Sequence, residues 1–138
     1  MIIQCLLEEG AKLPTKAHIE DGGFDVYSRC TKCVPSNGTA EFDTGVHIQI
    51  PVGMVGFLKS KSGLNVKHNI QSEGVIDSGY TGSIIVKLYN HSNKDYIVNK
   101  GDKITQLVLL PIPQITLELV DNLAETERGD NGFGSSGR

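Results

Sequence analysis

The sequence is a succession of short apolar segments closed by turns, and no segment keeps a helical period over a useful length. Residues 46–50 alternate between apolar and polar side chains, and residues 104–110 form a strong strand pattern. Many short strands with regular turns predict an all-β fold, most simply a jelly roll. The expected strands cover residues 2–7, 24–28, 46–50, 54–59, 83–90, 96–98, 104–110 and 115–120, with one helical turn at residues 60–64 capped by Ser62.

Length and composition predict one domain that binds neither nucleic acid nor a membrane. The chain has 138 residues and a net charge of −3, so it can form one core but lacks a basic surface for nucleic acid. No apolar run approaches the roughly 18 residues of a membrane span, and no signal peptide is apparent. The three cysteines favour a reducing compartment. We therefore expect a cytoplasmic protein, in the host cytoplasm if its source is a virus or phage.

Residues 74–82 carry a lone carboxylate next to a tight turn. Asp77 follows Ile76 directly, and Gly79 and Gly82 flank the aromatic Tyr80. Glycine accepts backbone angles that other residues resist, so the stretch predicts a β-hairpin with a carboxylate and a tyrosine near its tip. Two plainer interpretations stay open, with Asp77 as an ordinary turn residue and Tyr80 as ordinary hairpin packing.

Five separated stretches combine glycine with charged or hydroxyl residues, an unusual composition for a β-sheet core. They are residues 23–28, 60–64, 74–82, 100–107 and 128–137. Glycine lets the backbone approach a ligand closely, and exposed N–H groups with Ser, Lys and Arg suit phosphate. Two aspartates in these stretches, Asp25 and Asp77, would suit a divalent metal or a water to be activated.

In number, order and spacing, these stretches resemble the five motifs of the trimeric dUTPase family over nearly the whole chain. The resemblance implies a distorted jelly-roll, β-barrel-like fold and a homotrimer with sites at subunit junctions. It also implies a dUTP diphosphatase that uses Mg²⁺ to hydrolyse dUTP to dUMP and pyrophosphate, lowering dUTP and supplying dUMP for dTTP synthesis. Residues 1–126 would be a single all-β domain, and residues 127–138 a flexible, Gly-rich C-terminal lid.

The resemblance assigns roles to the matching residues. Asp77 matches the carboxylate that orients and deprotonates the water attacking the α-phosphorus, and Tyr80 the aromatic that packs on the deoxyribose and excludes a ribose 2′-hydroxyl. Asp25 and Gln106 match residues near the phosphates and the water shell of Mg²⁺, which would bind mainly through substrate phosphates. The other matches are Lys61, Ser62 and Gly63 for phosphates, Gln71, Gly74, Val75, Ile76 and Ile85 for uracil, and Arg128, Phe133, Gly134, Ser135 and Ser136 in the lid. Gln106 could instead only satisfy a buried backbone group.

Some positions depart from the family pattern. Lys61 and Lys103 stand where the family usually has arginine, and lysine offers a point charge without the bidentate fork. In the lid, Asn131 replaces a glycine and Ser136 a threonine, and Gly79 stands where an acidic residue is common. None of these changes removes a catalytic group, so we expect activity with altered constants.

Two other functions fit the same scaffold. The first is deamination of dCTP by a sibling family, which needs a glutamate on the strand after the hairpin, where this chain has Lys87. The second is a regulatory role that depends on binding another protein. An intact Asp77 argues for catalysis but does not remove that second possibility.

Overall fold

The computed structural model describes residues 1–137, which form ten strands and one short helix. The elements are β1 (Cys5–Leu7), β2 (Phe24–Tyr27), β3 (Lys32–Val34), β4 (Thr39–Asp43), β5 (Val46–Ile48), β6 (Met54–Lys59), α1 (Ser62–His68), β7 (Ile70–Ile76), β8 (Ile85–Asn90), β9 (Tyr96–Val98) and β10 (Lys103–Pro111). The prediction of an all-β fold is confirmed. The short strands β3 and β4 were missing from the sequence prediction.

One curled sheet of six strands dominates the fold, in the order β2-β10-β6-β7-β8-β4. Two further pairs, β1 with β5 and β3 with β9, complete the structure. All pairings are antiparallel. The nine-residue β10 pairs with β2 between Lys103 and Leu107 and with β6 from Gln106 to Pro111, so Gln106 and Leu107 have a partner on both sides. The N-terminal and C-terminal parts of the sheet therefore meet at this strand.

The core lies inside the curl, where the strands alternate between buried and exposed side chains. Its largest fully buried side chains are Phe42, Ile50, Ile70, Ile84, Leu88, Ile104 and Leu107, with Val26, Val34, Val46, Val86 and Val98 between them. Fully burying a side chain of this kind stabilises the fold by about 1.5–3 kcal/mol. The period-two pattern of the sequence therefore indicates which face of each strand is buried in the core.

The predicted hairpin forms only at its base. Strand β7 pairs with β8 at Ile70, Gln71 and Ser72, and the ladder ends there. Beyond that point β7 pairs with β6 on its other edge, and Ile85 at the start of β8 pairs with Asp43 of β4. The two strands splay because each continues in the ladder of its outer neighbour. The hairpin therefore opens into a gap between residues 73–76 and the start of β8.

Two local predictions were wrong. Residues 115–120 form no strand, because within the described chain no neighbouring strand offers them a ladder, and Ile115, Leu117 and Leu119 are exposed. Helix α1 is capped by Lys61 rather than by Ser62, which is its first helical residue, and no side chain bonds to its N-terminus. Among the described residues, no helix has the length and apolar character needed to cross a membrane.

The core assignment predicts a contrast between two isoleucines. Ile104 is fully buried on β10, whereas Ile19 lies exposed in the loop before β2. We expect Ile104→Ala to lower the free energy of unfolding by about 2–5 kcal/mol, because it leaves a cavity. Ile19→Ala should change it by less than about 0.5 kcal/mol. Urea denaturation at one fixed protein concentration measures both, and equal effects would contradict the assignment.

Candidate active site

The first group of predicted residues surrounds Asp25, which β2 presents beside β10 and the start of α1. The register places Gln106 of β10 opposite Asp25. Lys61 at the N-terminus of α1 bonds to one carboxylate oxygen of Asp25, and Lys103 reaches the other at 2.9 Å. The structure thus brings together residues from three of the five motifs. It adds Lys103, which the sequence analysis named only as a departure from the arginine usual in the family pattern.

The two lysines determine the charge state of Asp25. Burial alone would raise the pKa of this carboxyl, since only 7% of the residue is exposed. The hydrogen bonds and charges of Lys61 and Lys103 outweigh burial and hold the pKa of Asp25 below its usual value. Reciprocally, the bond to Asp25 raises the pKa of Lys103. The cluster is therefore a buried carboxylate that holds two cationic groups at the protein surface.

Gln106 fixes the chain that leads from β6 into α1. Its amide nitrogen donates to the Ser60 carbonyl at 3.1 Å, so the plainer interpretation of this residue also applies. A side chain on Gly23 would lie 3.0 Å from the Gln106 amide oxygen, which explains why a glycine precedes β2. Gln106 therefore packs directly against the glycine of the first motif.

A network of hydroxyl groups stabilises the same connection between β6 and α1. The Ser72 and Thr105 hydroxyls lie 2.6 Å apart, and Thr105 also donates to the Lys59 carbonyl at 2.9 Å. The Ser60 hydroxyl accepts from the Ser72 N–H at 3.0 Å. The sequence prediction missed Ser60, Ser72 and Thr105 as parts of the site. The signal for Ser72 and Thr105 is a small polar residue at a buried position of a strand. Ser60 follows β6 and is half-buried, and only its place in the stretch at residues 60–64 points to it.

The second group occupies the open tip of the hairpin, where Asp77 begins a turn that the Tyr80 N–H closes on the Asp77 carbonyl at 3.0 Å. The Tyr80 hydroxyl donates to the Ser83 carbonyl at 2.7 Å, and its ring lies over Gly82. A side chain on Gly82 would approach the Tyr80 hydroxyl to 2.6 Å. Asp77 and Tyr80 are both exposed. The tip thus presents a carboxylate and a fixed aromatic ring to the outside.

The register keeps these two groups apart within one chain. Ile76, which precedes Asp77, pairs with Gly56 of β6. Asp25 pairs with Gln106 of β10, and Gln106 in turn pairs with Lys59 of β6. A strand advances about 3.3 Å per residue, and neighbouring strands lie about 4.8 Å apart. Asp77 and Asp25 are therefore separated by roughly 20 Å, across three strand spacings and four positions along the sheet.

The predicted uracil residues lie along the splayed part of β7 and β8. Gly74 packs against Leu58, which a side chain at position 74 would approach to 3.2 Å, while Val75 and Ile85 are exposed. Gln71 lies at the closed base of the hairpin, and its amide oxygen is 2.7 Å from Nε2 of His91. Backbone groups of residues 73–76 that would face β8 in a closed hairpin are open to a ligand there.

The C-terminal segment contributes no strand or helix within residues 112–137. Arg128 bonds through its Nε to the Asn131 carbonyl at 2.9 Å, and Phe133 is fully exposed. The remaining lid residues, Gly134, Ser135 and Ser136, lie in a turn and are exposed. Among the described residues, no hydrogen bond joins any of these five residues to either of the two groups described above. Position 138 of the predicted lid lies outside the described residues.

No cluster of three or more His, Cys, Asp or Glu residues within the described chain could hold a metal ion by itself. Both carboxylate oxygens of Asp25 are occupied by lysines. This donor set fits a hydrated Mg²⁺ carried by substrate phosphates, with Asp25 and Gln106 outside its first coordination shell.

Comparison with known proteins identifies one family. The sequence profile described as dUTPase matches residues 9–137. The deoxyuridine 5′-triphosphate nucleotidohydrolase of Kluyveromyces lactis is 42% identical over 93% of this chain and 88% of its own length. The protein of the same name from Clostridium tetani is 40% identical over 96% of this chain and 94% of its own length.

Solved structures give the same result. A variant of the Staphylococcus bacteriophage 80alpha dUTPase with dUpNHpp has a TM-score of 0.92 and 30% identity, and the match covers 99% of each chain. A variant of the phage phi11 dUTPase, described with a structural Mg(II) ion, has a TM-score of 0.83 and 29% identity over 88% of this chain and 98% of its own.

The Asp25 cluster predicts an acid-sensitive part of the stability. Because the folded pKa of Asp25 is depressed, its contribution is fully present above the unfolded pKa of about 3.8 and is lost as the pH falls through the folded value. Asp25→Asn should therefore be less stable than the wild type at pH 7, and the difference should shrink below about pH 4. Urea denaturation at several pH values measures it. Asp121→Asn, at an exposed position, is the control. A difference that stays constant down to pH 2 would contradict the assignment.

Proposed function

Since this chain belongs to the dUTPase family and hydrolyses dUTP to dUMP and pyrophosphate, we propose that its active sites form only where separate subunits meet. The observation that supports this is the separation of roughly 20 Å between Asp77 and the Asp25 cluster. Both groups match motifs of one family site, and a single chain cannot bring them to one triphosphate. A closed ring of three copies would place the tip of one subunit against the Asp25 end of the next.

The exposed apolar residues of the C-terminal segment support assembly independently. Ile115, Leu117 and Leu119 alternate along the chain as a strand does, yet all three are exposed. A segment with this pattern lacks only a partner strand, which the sheet edge of another copy can supply. We therefore propose a homotrimer in which this segment crosses to a neighbouring subunit.

In the assembled site, Asp77 orients a water and takes its proton as the water oxygen bonds to the α-phosphorus. The bond from the α-phosphorus to the bridging oxygen breaks, and pyrophosphate leaves. The Lys61 ammonium and the start of α1 bind the phosphates, and Asp25 holds Lys61 at the surface for that purpose. Most of the effect of Asp77 comes from its placement, since a carboxylate is a weak base.

Tyr80 and the splayed hairpin select the nucleoside. The open backbone of residues 73–76, with Gln71 and Ile85 beside it, presents donors and acceptors that can pair with uracil. The Tyr80 ring, fixed by its bond to Ser83, packs on the deoxyribose and leaves no room for a 2′-hydroxyl.

Mg²⁺ supplies charge neutralisation on the substrate phosphates when it is bound. Asp25 and Gln106 would contact its water shell rather than the ion itself. Deamination of dCTP is the weaker alternative, because Lys87 lies half-buried on β8 opposite Glu41 and cannot act as the required acid. A cytoplasmic location is supported by the three free cysteines.

The junction proposal is tested by mixing two inactive chains. Asp77→Asn and Lys61→Met should each lose turnover of dUTP by orders of magnitude, because each removes one half of every site. After joint refolding at equal amounts, about a quarter of the sites should combine an intact Asp77 with an intact Lys61. Pyrophosphate release from dUTP measures recovery, with dCTP as the control substrate. If mixed trimers form and no activity returns, both halves belong to one subunit.

The segment at residues 127–138 acts, we propose, as a lid over the nucleotide. Arg128 would bind the γ-phosphate, Phe133 would stack on uracil, and Gly134, Ser135 and Ser136 would fold around the phosphates. Ordering so many glycines costs about 1–2 kcal/mol per residue, so the lid should close only over bound triphosphate and exclude bulk water. Deletion of residues 127–138 should leave a folded trimer that binds dUTP weakly and turns it over far more slowly. Full turnover by the truncated protein would exclude the lid role.

A further inference from the structure

The loop that carries Tyr80 is held at two points by side chains of neighbouring strands. Nδ1 of His47, on β5, lies 2.8 Å from the Thr81 carbonyl oxygen. Two residues further on, the Ser83 hydroxyl donates to Asp43 of β4 and accepts from the Gly45 N–H at 2.9 Å. The pKa of Asp43 is held below its usual value, chiefly by the Ser83 hydroxyl and the Gly45 amide. Both contacts fall between the turn at Asp77 and the start of β8.

The contact with Thr81 also determines that Nδ1 of the His47 ring carries a proton. A carbonyl oxygen only accepts hydrogen bonds, so Nδ1 must carry a proton to bind Thr81. Nε2 is buried without a hydrogen-bond partner among the described residues, and the Glu8 carboxylate lies 3.7 Å from it. Glu8 also pairs with Arg29 at 3.0 Å, and Arg29 pairs with Asp43 at 3.2 Å. Glu8 and Arg29 therefore connect His47, which contacts Thr81, to Asp43, which binds Ser83.

Tyr80 depends on both fixed points. Its hydroxyl donates to the Ser83 carbonyl, and its ring covers Gly82, which lies between Thr81 and Ser83. A shift of the Thr81 carbonyl would carry Gly82 with it and so change the surface on which the ring packs. The position of the ring is thus set by two strands that belong to neither half of the active site.

We propose that His47 is a positioning residue that fixes the Tyr80 ring through the Thr81 carbonyl and thereby sets the discrimination between deoxyribose and ribose triphosphates. The inference depends on the role proposed above for Tyr80. A ring that can move outward admits a 2′-hydroxyl, whereas the phosphates and the base are held by other residues. Loss of the His47 contact should therefore cost more in selectivity than in binding.

Three substitutions at position 47 separate the hydrogen bond from the bulk of the side chain. His47→Leu removes the donor, His47→Asn keeps a donor near the position of Nδ1, and His47→Gln moves the amide toward Glu8. We expect the ratio of kcat/KM for dUTP over UTP to fall about five- to tenfold in the Leu and Gln variants and to return close to the wild-type value in the Asn variant. A general loss of stability would instead lower both values of kcat/KM together and would leave the ratio unchanged.

Two glycine variants test the role of Tyr80 separately. Gly82→Ala must push the ring away, whereas a side chain on Gly79 meets nothing within 4 Å. Lower selectivity for Gly82→Ala but not for Gly79→Ala supports the role of Tyr80. If selectivity falls for Gly82→Ala and not for His47→Leu, the inference is wrong and the proposed function stands. If Gly82→Ala leaves selectivity unchanged, the proposed role of Tyr80 is wrong, and the selectivity role of His47 is wrong with it.

A direct measurement reports on the loop itself. The Tyr80 N–H bonds to the Asp77 carbonyl at 3.0 Å, and the Ile84 N–H bonds to the Val46 carbonyl at 2.8 Å. Amide hydrogen exchange at Tyr80 and Ile84 should be faster in His47→Leu and His47→Gln than in the wild type and in His47→Asn. Unchanged exchange in all three variants would show that His47 does not hold the loop, whatever happens to selectivity. If His47→Leu does not fold, the comparison of Asn with Gln still decides, since both retain a polar amide.

Discussion

The double pairing of β10 is the constraint on which the rest of the structure depends. Its first half forms a ladder with β2 and its second half a ladder with β6, and at Gln106 and Leu107 the two ladders overlap. These contacts bring Asp25 from the N-terminal part of the chain opposite Gln106 and place both next to the turn that begins α1. The ion pairs of Asp25 with Lys61 and Lys103 would have no fixed geometry without this register. Backbone hydrogen bonds thus assemble the charged cluster, and side chains only complete it.

The sequence was informative where local chemistry dominates. Alternation along β5 and the strong apolar pattern of β10 identified strands because a half-enclosed sheet requires that period. The motif around Asp77 was equally recognisable, because a tight turn with two glycines rarely needs a lone carboxylate directly beside it. The individual roles of the predicted site residues are still proposals, but the geometry of Asp25, Lys61 and Gln106 agrees with a common site.

The sequence was uninformative where the outcome depends on distant partners. Nothing local to His47 distinguishes it from the other histidines, since its contact with Thr81 spans 34 positions. Residues 115–120 have the composition of a strand but form none in one chain, because a ladder requires a second strand and none of the described strands supplies it. The splay of β7 from β8 was likewise hidden, as it results from competition between neighbouring ladders rather than from the turn between the two strands.

The distance between the two halves of the site has a genetic consequence. Each chain would contribute its tip to one site and its Asp25 cluster to another, so one doubly defective chain in a trimer disables two sites. In a cell that expresses a normal allele and one whose product is defective in both halves, activity would then fall further than the fraction of normal chains. A recessive pattern is expected of an enzyme whose sites are complete within one subunit, whereas this architecture makes a folded chain that is defective in both halves partly dominant.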